Sequence, residues 1–172
     1  MTDSSSDDIT LNIRAKKKVL RKQMKALRAQ ISPEAYQAYS EAIMDRVLAL
    51  PELKAARVIH IFSAMESQQE PGTGTLIERL MALGKQVVVK VMQWEQRQLY
   101  HVALSAETPL IPNKWGIPEP PLPPEHKKSV SGAAGSSKLI APETLHLVLV
   151  PLLAGDIAGN RLGYGKGFYD RF

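Results

Sequence analysis

Leu145-His146-Leu147-Val148-Leu149-Val150 leads, a few residues on, to Gly159-Asn160-Arg161-Leu162-Gly163-Tyr164-Gly165-Lys166-Gly167-Phe168-Tyr169-Asp170-Arg171. These two stretches decide the fold. The first is a short, bounded apolar run, the pattern of a strand covered on both faces. The second interleaves glycines with Arg161, Lys166 and Arg171. Glycine permits positive φ and the close approach of another group, and the cations put charge at the same place. A strand followed by a glycine-rich cationic loop and a helix start is a means of holding phosphate. Neither common nucleotide-binding pattern fits. A P-loop would need glycine at Asn160 and Ser or Thr at Gly167, and the glycines at 163, 165 and 167 do not follow Gly-x-Gly-x-x-Gly. A flexible linker would not carry Arg, Tyr, Lys, Phe and Asp between its glycines.

Upstream, residues 57–62 and 86–91 read as strands, and residues 73–83 between them as a helix closed by Gly84. Strand, crossover helix and strand imply a parallel pair with a right-handed connection. Residues 98–104 alternate and read as a further, edge strand. Ser32-Pro33-Glu34 is a helix start that should run to just before Pro51, with Tyr36, Tyr39, Ile43 and Val47 as its core stripe. Residues 13–30 read as another helix. Its apolar face is Leu20, Met24, Leu27 and Ile31, and its other faces carry eight cations from Arg14 to Arg28 with no acid among them. Those cations are either a solvated surface or, in one or two cases, phosphate ligands. His60 reads as a structural histidine, because no second histidine stands at metal-ligand spacing.

The chain has 172 residues and a net charge of +5. That length suits one domain with a core, and that charge suits anionic partners. There is no cysteine, which excludes disulfides and thiolate metal sites. No apolar run is long enough to span a bilayer. Residues 1–12 have neither signal-peptide nor presequence character and read as a disordered tail, and the protein as cytoplasmic. Residues 121–141 are rich in Pro, Ser and Gly and read as a mobile insertion. The expected fold class is α/β, a three-layer α/β/α domain over residues 13–172 with a mainly parallel sheet and ligands at the strand C-termini.

The C-terminal stretch, with Val150-Pro151-Leu152-Leu153-Ala154 before it, resembles the C-terminal motif of the 5-formyltetrahydrofolate cyclo-ligases, also called methenyltetrahydrofolate synthetases. The likeness runs from about residue 17 to residue 172. Lys17-Lys18-Val19-Leu20-Arg21 is similar to the family's Lys-x-x-Leu-Arg, Glu70-Pro71-Gly72-Thr73 to its Glu-x-x-Thr, and Gly116-Ile117-Pro118-Glu119-Pro120 to its Gly-Ile-x-Glu-Pro. The fold implied is of the sugar-phosphate isomerase and CoA-transferase type. The chemistry implied is ATP-dependent cyclisation of 5-formyltetrahydrofolate, with Mg²⁺ accompanying ATP. ATP would then be met by Lys17, Lys18, Arg21, Arg161, Leu162, Gly163, Tyr164, Gly165, Lys166, Gly167, Phe168 and Tyr169. Lys166 and Arg161 would be catalytic, and Asp170 would hold the metal.

The folate would be met by Ser63, Met65, Glu70, Trp115, Tyr164, Lys166 and Phe168. Glu66 is a rival to Glu70, because the loop is about two residues longer than usual in the family. Trp115 reads equally as a loop anchor or as a wall of the pterin pocket. Asp156 reads as a structural residue orienting the loop through backbone bonds. The chain departs from the family at Lys90, where proline is common, and at Gly155, where phenylalanine is common. Family members also continue past Phe172 through a helix begun near Phe168, so the domain reads as incomplete there, and a non-catalytic relative is a rival reading. A monomer is expected. An RNA-associated role for the basic helix would show salt-dependent binding but lacks an aromatic stacking platform, so no nucleic-acid partner is expected.

Overall fold

The computed structural model describes residues 4–93, 98–122 and 138–170. Its first helix, α1 (Ser4–Arg28), starts within the stretch expected to be a disordered tail. No Gly or Pro interrupts residues 4–28, so nothing in the chain breaks the helical hydrogen-bond ladder there. The second helix, α2 (Pro33–Ala49), starts where the sequence signals it. Ser32 Oγ accepts a hydrogen bond from Ala35 N at 3.2 Å. Ser32→Ala should therefore cost about 1 kcal/mol, read as a lower denaturant midpoint with an unchanged m-value.

The expected stripe on α2 is rotated. Tyr39 and Ile43 are exposed, and Met44 is the buried residue. Two polar contacts set this rotation: Tyr36 Oη donates to Glu70 O at 2.9 Å, and Ser40 Oγ accepts from Gly72 N at 3.1 Å. Residues 36, 40 and 44 lie on one helical face, so bonding the first two turns the third inward. A short helix, α3 (Pro51–Ala55), follows, and Leu53 is buried.

Strands β1 (Val58–Ile61) and β2 (Gln86–Gln93) pair in parallel, from Val58 opposite Gln86 to Ile61 opposite Val89. Helix α4 (Gly74–Ala82) crosses between them, and Gly84 follows at φ +72°, as the stop signal requires. Strand β3 (Gln98–Ala103) lies antiparallel to β2. It is not an edge strand: the two-residue β6 (Lys138–Leu139) pairs on its far side. The hairpin of β4 (Ile111–Pro112) and β5 (Pro118–Glu119) precedes it in the chain.

The apolar run at 145–150 supplies β7 (Leu147–Val148), parallel to β1. Its residues are half-buried, not enclosed. The ladder is two residues long and lies at the end of the described sheet, whose order is β6-β3-β2-β1-β7. The α/β class expected from the sequence is the architecture observed.

The core lies on one face of this sheet. Ile59, Ile61, Val87 and Val89 pack with Met44 of α2, Leu53 of α3, and Leu76, Ile77 and Leu80 of α4. Strand alternation sends His60, Val88 and Lys90 to the other face. There the ring of His60 meets His101 edge-on at 5.4 Å and Tyr169 at 5.8 Å. The C-terminal glycine segment therefore covers the sheet face opposite α2, α3 and α4. Most of the insertion expected at 121–141 falls at residues 123–137, outside the described residues.

Candidate active site

Residues 154–162 form a hairpin where the sequence suggested a loop. Strands β8 (Ala154–Gly155) and β9 (Arg161–Leu162) pair antiparallel. Asp156 closes their loop as expected, its Oδ1 accepting from Ala158 N at 3.0 Å and Asn160 N at 2.8 Å. The chain leaves β9 through Gly165 and Gly167, at φ +84° and +68°. A turn follows at residues 169–170, the last of the described residues. This path wraps around a cavity of about 460 Å³. Phe62 and Ser63 just past β1, Lys90 and Met92 of β2, and Pro151 shortly after β7 also line it, so it sits at the C-terminal ends of the parallel strands.

One wall is cationic. Lys17, Arg21 and Lys25 line it from α1, and Arg161 and Lys166 from the glycine segment. A spacing of four puts the three α1 residues on one face. Lys18 is turned about 100° away from Lys17 and does not line the cavity, which separates it from the expected ATP set. Arg21 Nε donates to Gly163 O at 2.9 Å, tying α1 to the hairpin. Arg28 adds two ties, to Tyr164 Oη and to Leu152 O, each at 2.8 Å. Lys25 Nζ stands 5.3 Å from the Tyr164 ring centre. Burial raises the pKa of Tyr164, and a nearby Glu70 adds to the effect against the pull of Arg28.

The opposite wall is the loop after β1. A 3-10 turn at Glu66–Gln68 ends in Gln69 at φ +49°, and this brings the chain back on itself. Glu70 is thereby buried, and its Oε2 accepts from Met65 N at 2.7 Å. Thr73 Oγ1 braces the same loop by accepting from Ala64 N at 3.0 Å. Between the rival acids, Glu70 lines the cavity and Glu66, exposed on the turn, does not. Met65 and Ser63 also line it. Ser63 is buried, and its Oγ has no hydrogen-bond partner among the described residues. A buried hydroxyl in that state is suited to a ligand contact.

Trp115 lines the cavity and is 38% exposed, so it does not anchor its loop in the core. Asn113 Oδ1 holds that loop by accepting from Trp115 N at 2.9 Å and Ile117 N at 3.1 Å. Lys25, Lys90, Asn113 and Glu119 line the cavity although the sequence reading gave them no place among the site residues. Period two in β2 was the available signal for Lys90, since Val89 and Lys90 must face opposite sides. Glu119 stands in the Gly-Ile-x-Glu-Pro element matched in the sequence, without a role given to it there, and reaches the cavity through the β4–β5 hairpin. Burial lowers the pKa of Lys90, against the raising effect of Glu70 and Glu119, and burial raises that of Glu119. Beneath them His60 is held neutral, its pKa lowered to about 3 chiefly by burial and further by His101 and Lys90.

Asp170 lines the cavity with its carboxylate largely exposed, and Arg161 Nη2 donates to its Oδ1 at 3.1 Å. Among the described residues no three His, Asp or Glu side chains converge as a preformed metal cage. One carboxylate at a cationic wall fits Mg²⁺, which takes one or two carboxylates together with substrate phosphates and water.

Fold and cavity together define an α/β enzyme with its ligand site at the C-terminal ends of parallel strands. The 5-formyltetrahydrofolate cyclo-ligase family model matches residues 13–172, and the chain belongs to that family of ligases. It is 27% identical to the 5-formyltetrahydrofolate cyclo-ligase of Haemophilus influenzae, an alignment covering 91% of this chain and 76% of that one. It is 28% identical to the Escherichia coli K12 cyclo-ligase, over 84% of this chain and 72% of that protein. The NMR structure of Aquifex aeolicus 5,10-methenyltetrahydrofolate synthetase superposes with a TM-score of 0.70 at 26% identity, covering 90% of this chain and 70% of that one. Among the described residues no helix is long and apolar enough to cross a membrane.

Proposed function

We propose that this chain catalyses the ATP-dependent conversion of 5-formyltetrahydrofolate to 5,10-methenyltetrahydrofolate, releasing ADP and phosphate. The formyl oxygen is a poor leaving group. Its attack on the γ-phosphorus breaks the bond to ADP and gives an imidate phosphate. N10 then attacks the activated carbon and loses its proton, and phosphate departs with the formyl oxygen. Phosphoryl transfer asks a protein mainly for positioning and charge stabilisation. Lys17, Arg21, Arg161 and Lys166 meet the phosphates, and Gly163, Gly165 and Gly167 let the backbone approach them. Mg²⁺ held by Asp170 would supply further neutralisation of phosphate charge. Glu70, Ser63, Met65, Trp115 and Phe168 hold the folate.

The observation that carries this reading is the meeting of the Arg21 face of α1 with the glycine hairpin, across from a buried Glu70, around one cavity. Two unlike walls suit two unlike ligands, one rich in phosphate and one with ring N–H donors. The protein acts as a monomer in the cytoplasm in this reading. Absorbance in the methenyl-folate band, followed with 5-formyltetrahydrofolate and MgATP, tests it. A rise that requires ATP is expected. A folded chain that gives no ATP-dependent rise overturns the assignment.

A further inference from the structure

Lys90 stands apart from the other cations of the cavity. Lys17, Arg21 and Lys25 come from α1, and Arg161 and Lys166 from the glycine segment, whereas Lys90 rises from the sheet itself. Its neighbour Val89 is the last residue of β2 paired to β1, and Val89 packs into the core under the helices. Lys90 therefore points to the opposite face, just past the end of the parallel ladder. Its Nζ lies 5.1 Å from the ring centre of Tyr169 and 5.7 Å from that of Phe168. The two acids that act on it are Glu70 from the loop after β1 and Glu119 from β5. An ammonium withdrawn from water is costly unless it is compensated, and here two carboxylates and two aromatic faces offset part of that cost.

A buried carboxylate and a half-buried ammonium that line one cavity, with flat rings next to the ammonium, have a specific chemical complement. The bicyclic ring of a reduced folate presents a 2-amino group, N3–H and the C4 oxygen in a row along one edge. That order is donor, donor, acceptor. Glu70 is an acceptor for the first two, and Lys90 is a donor for the third. The cations of α1 and the glycine segment share the other wall, where phosphate charge is to be met. We infer that Lys90 is a specificity residue that donates to the C4 oxygen of the substrate ring while Glu70 accepts from its two N–H groups. The inference rests on the folate reading above and adds to it the group that reads the ring carbonyl.

A 4-amino-4-deoxy ring carries a donor in place of that acceptor and a bare N3 in place of N3–H, so it meets the Lys90 ammonium donor to donor and also costs Glu70 one of its two N–H partners. Wild-type protein should bind 5-formyltetrahydrofolate at least about tenfold more tightly than its 4-amino-4-deoxy analogue, the worth of one charge-assisted hydrogen bond. Equilibrium titration without ATP reads this ratio. Lys90→Met should shrink that ratio about tenfold, leaving the part set by Glu70 at N3, and Lys90→Arg, which keeps the charge, should retain more of the preference. Lys90→Gln serves as a second neutral variant, and a melting scan of each variant confirms folding. MgATP binding to Lys90→Met should match wild type.

A folded Lys90→Met or Lys90→Gln protein that keeps the wild-type ratio overturns the role of Lys90. So does one that loses both ring ligands equally. Wild-type protein that binds 5-formyltetrahydrofolate without preferring it also overturns the role of Lys90 and leaves the folate reading standing. Wild-type protein that binds neither ring overturns both.

Discussion

Lys166→Ala is expected to lower turnover about 10³-fold, the scale on which a cation stabilising phosphoryl transfer contributes. Lys166 stands between Gly165 and Gly167, both at positive φ, and lines the cavity from an exposed position. It is not among the buried residues of the core, so its loss should leave the unfolding midpoint unchanged. That separation makes the result interpretable. Single-turnover measurement of methenyl-folate formation with saturating MgATP reads the chemical step directly. A loss in the chemical step with near-normal folate binding fits a charge aimed at the transferring phosphoryl group. Near-normal turnover in a folded Lys166→Ala protein rejects the role, and the charge stabilisation would then fall to Arg161 and the α1 cations.

The parts of this molecule readable from sequence are those fixed by local rules. The cap at Ser32, the stop at Gly84 and the β1–α4–β2 unit each follow from residue chemistry within a few positions. So does the Asp156 loop, where a carboxylate reaches amides two and four residues on. What was not readable depends on partners distant in the chain. The rotation of α2 is set by Glu70 and Gly72, and the hairpin at Arg161 by its pairing to Gly155. Lys90 and Glu119 reach one cavity from separate elements, a strand and a two-residue hairpin strand. That Glu70 lines the cavity and Glu66 does not goes with a single left-handed residue between them, Gln69, whose φ no sequence pattern specifies. Lys18 lies off the cavity wall for a simpler reason, since matching a motif does not place adjacent helix residues on the same face.

Gly165→Ala should reduce kcat/KM for ATP roughly 100-fold while the fold survives. Two costs combine there. Gly165 has φ +84°, and a non-glycine residue in that region carries about 1–3 kcal/mol of strain. A Cβ at this position would also stand 2.9 Å from Arg21 Cζ and 3.1 Å from Arg21 Nε. The guanidinium must then shift, which disturbs its bond to Gly163 O. Gly159 separates the two costs. It has nearly the same φ, +83°, but a Cβ there meets nothing within 4 Å. Gly159→Ala should bear the strain alone and lose stability in the hairpin with little change in kcat/KM for ATP. The pair can be joined to Arg21→Ala in a double-mutant cycle. With Arg21 already removed, Gly165→Ala should add little further loss, because both changes act on the same guanidinium seat. Full additivity would mean that Arg21 and Gly165 act separately, and the tie between α1 and the glycine hairpin would lose its functional meaning.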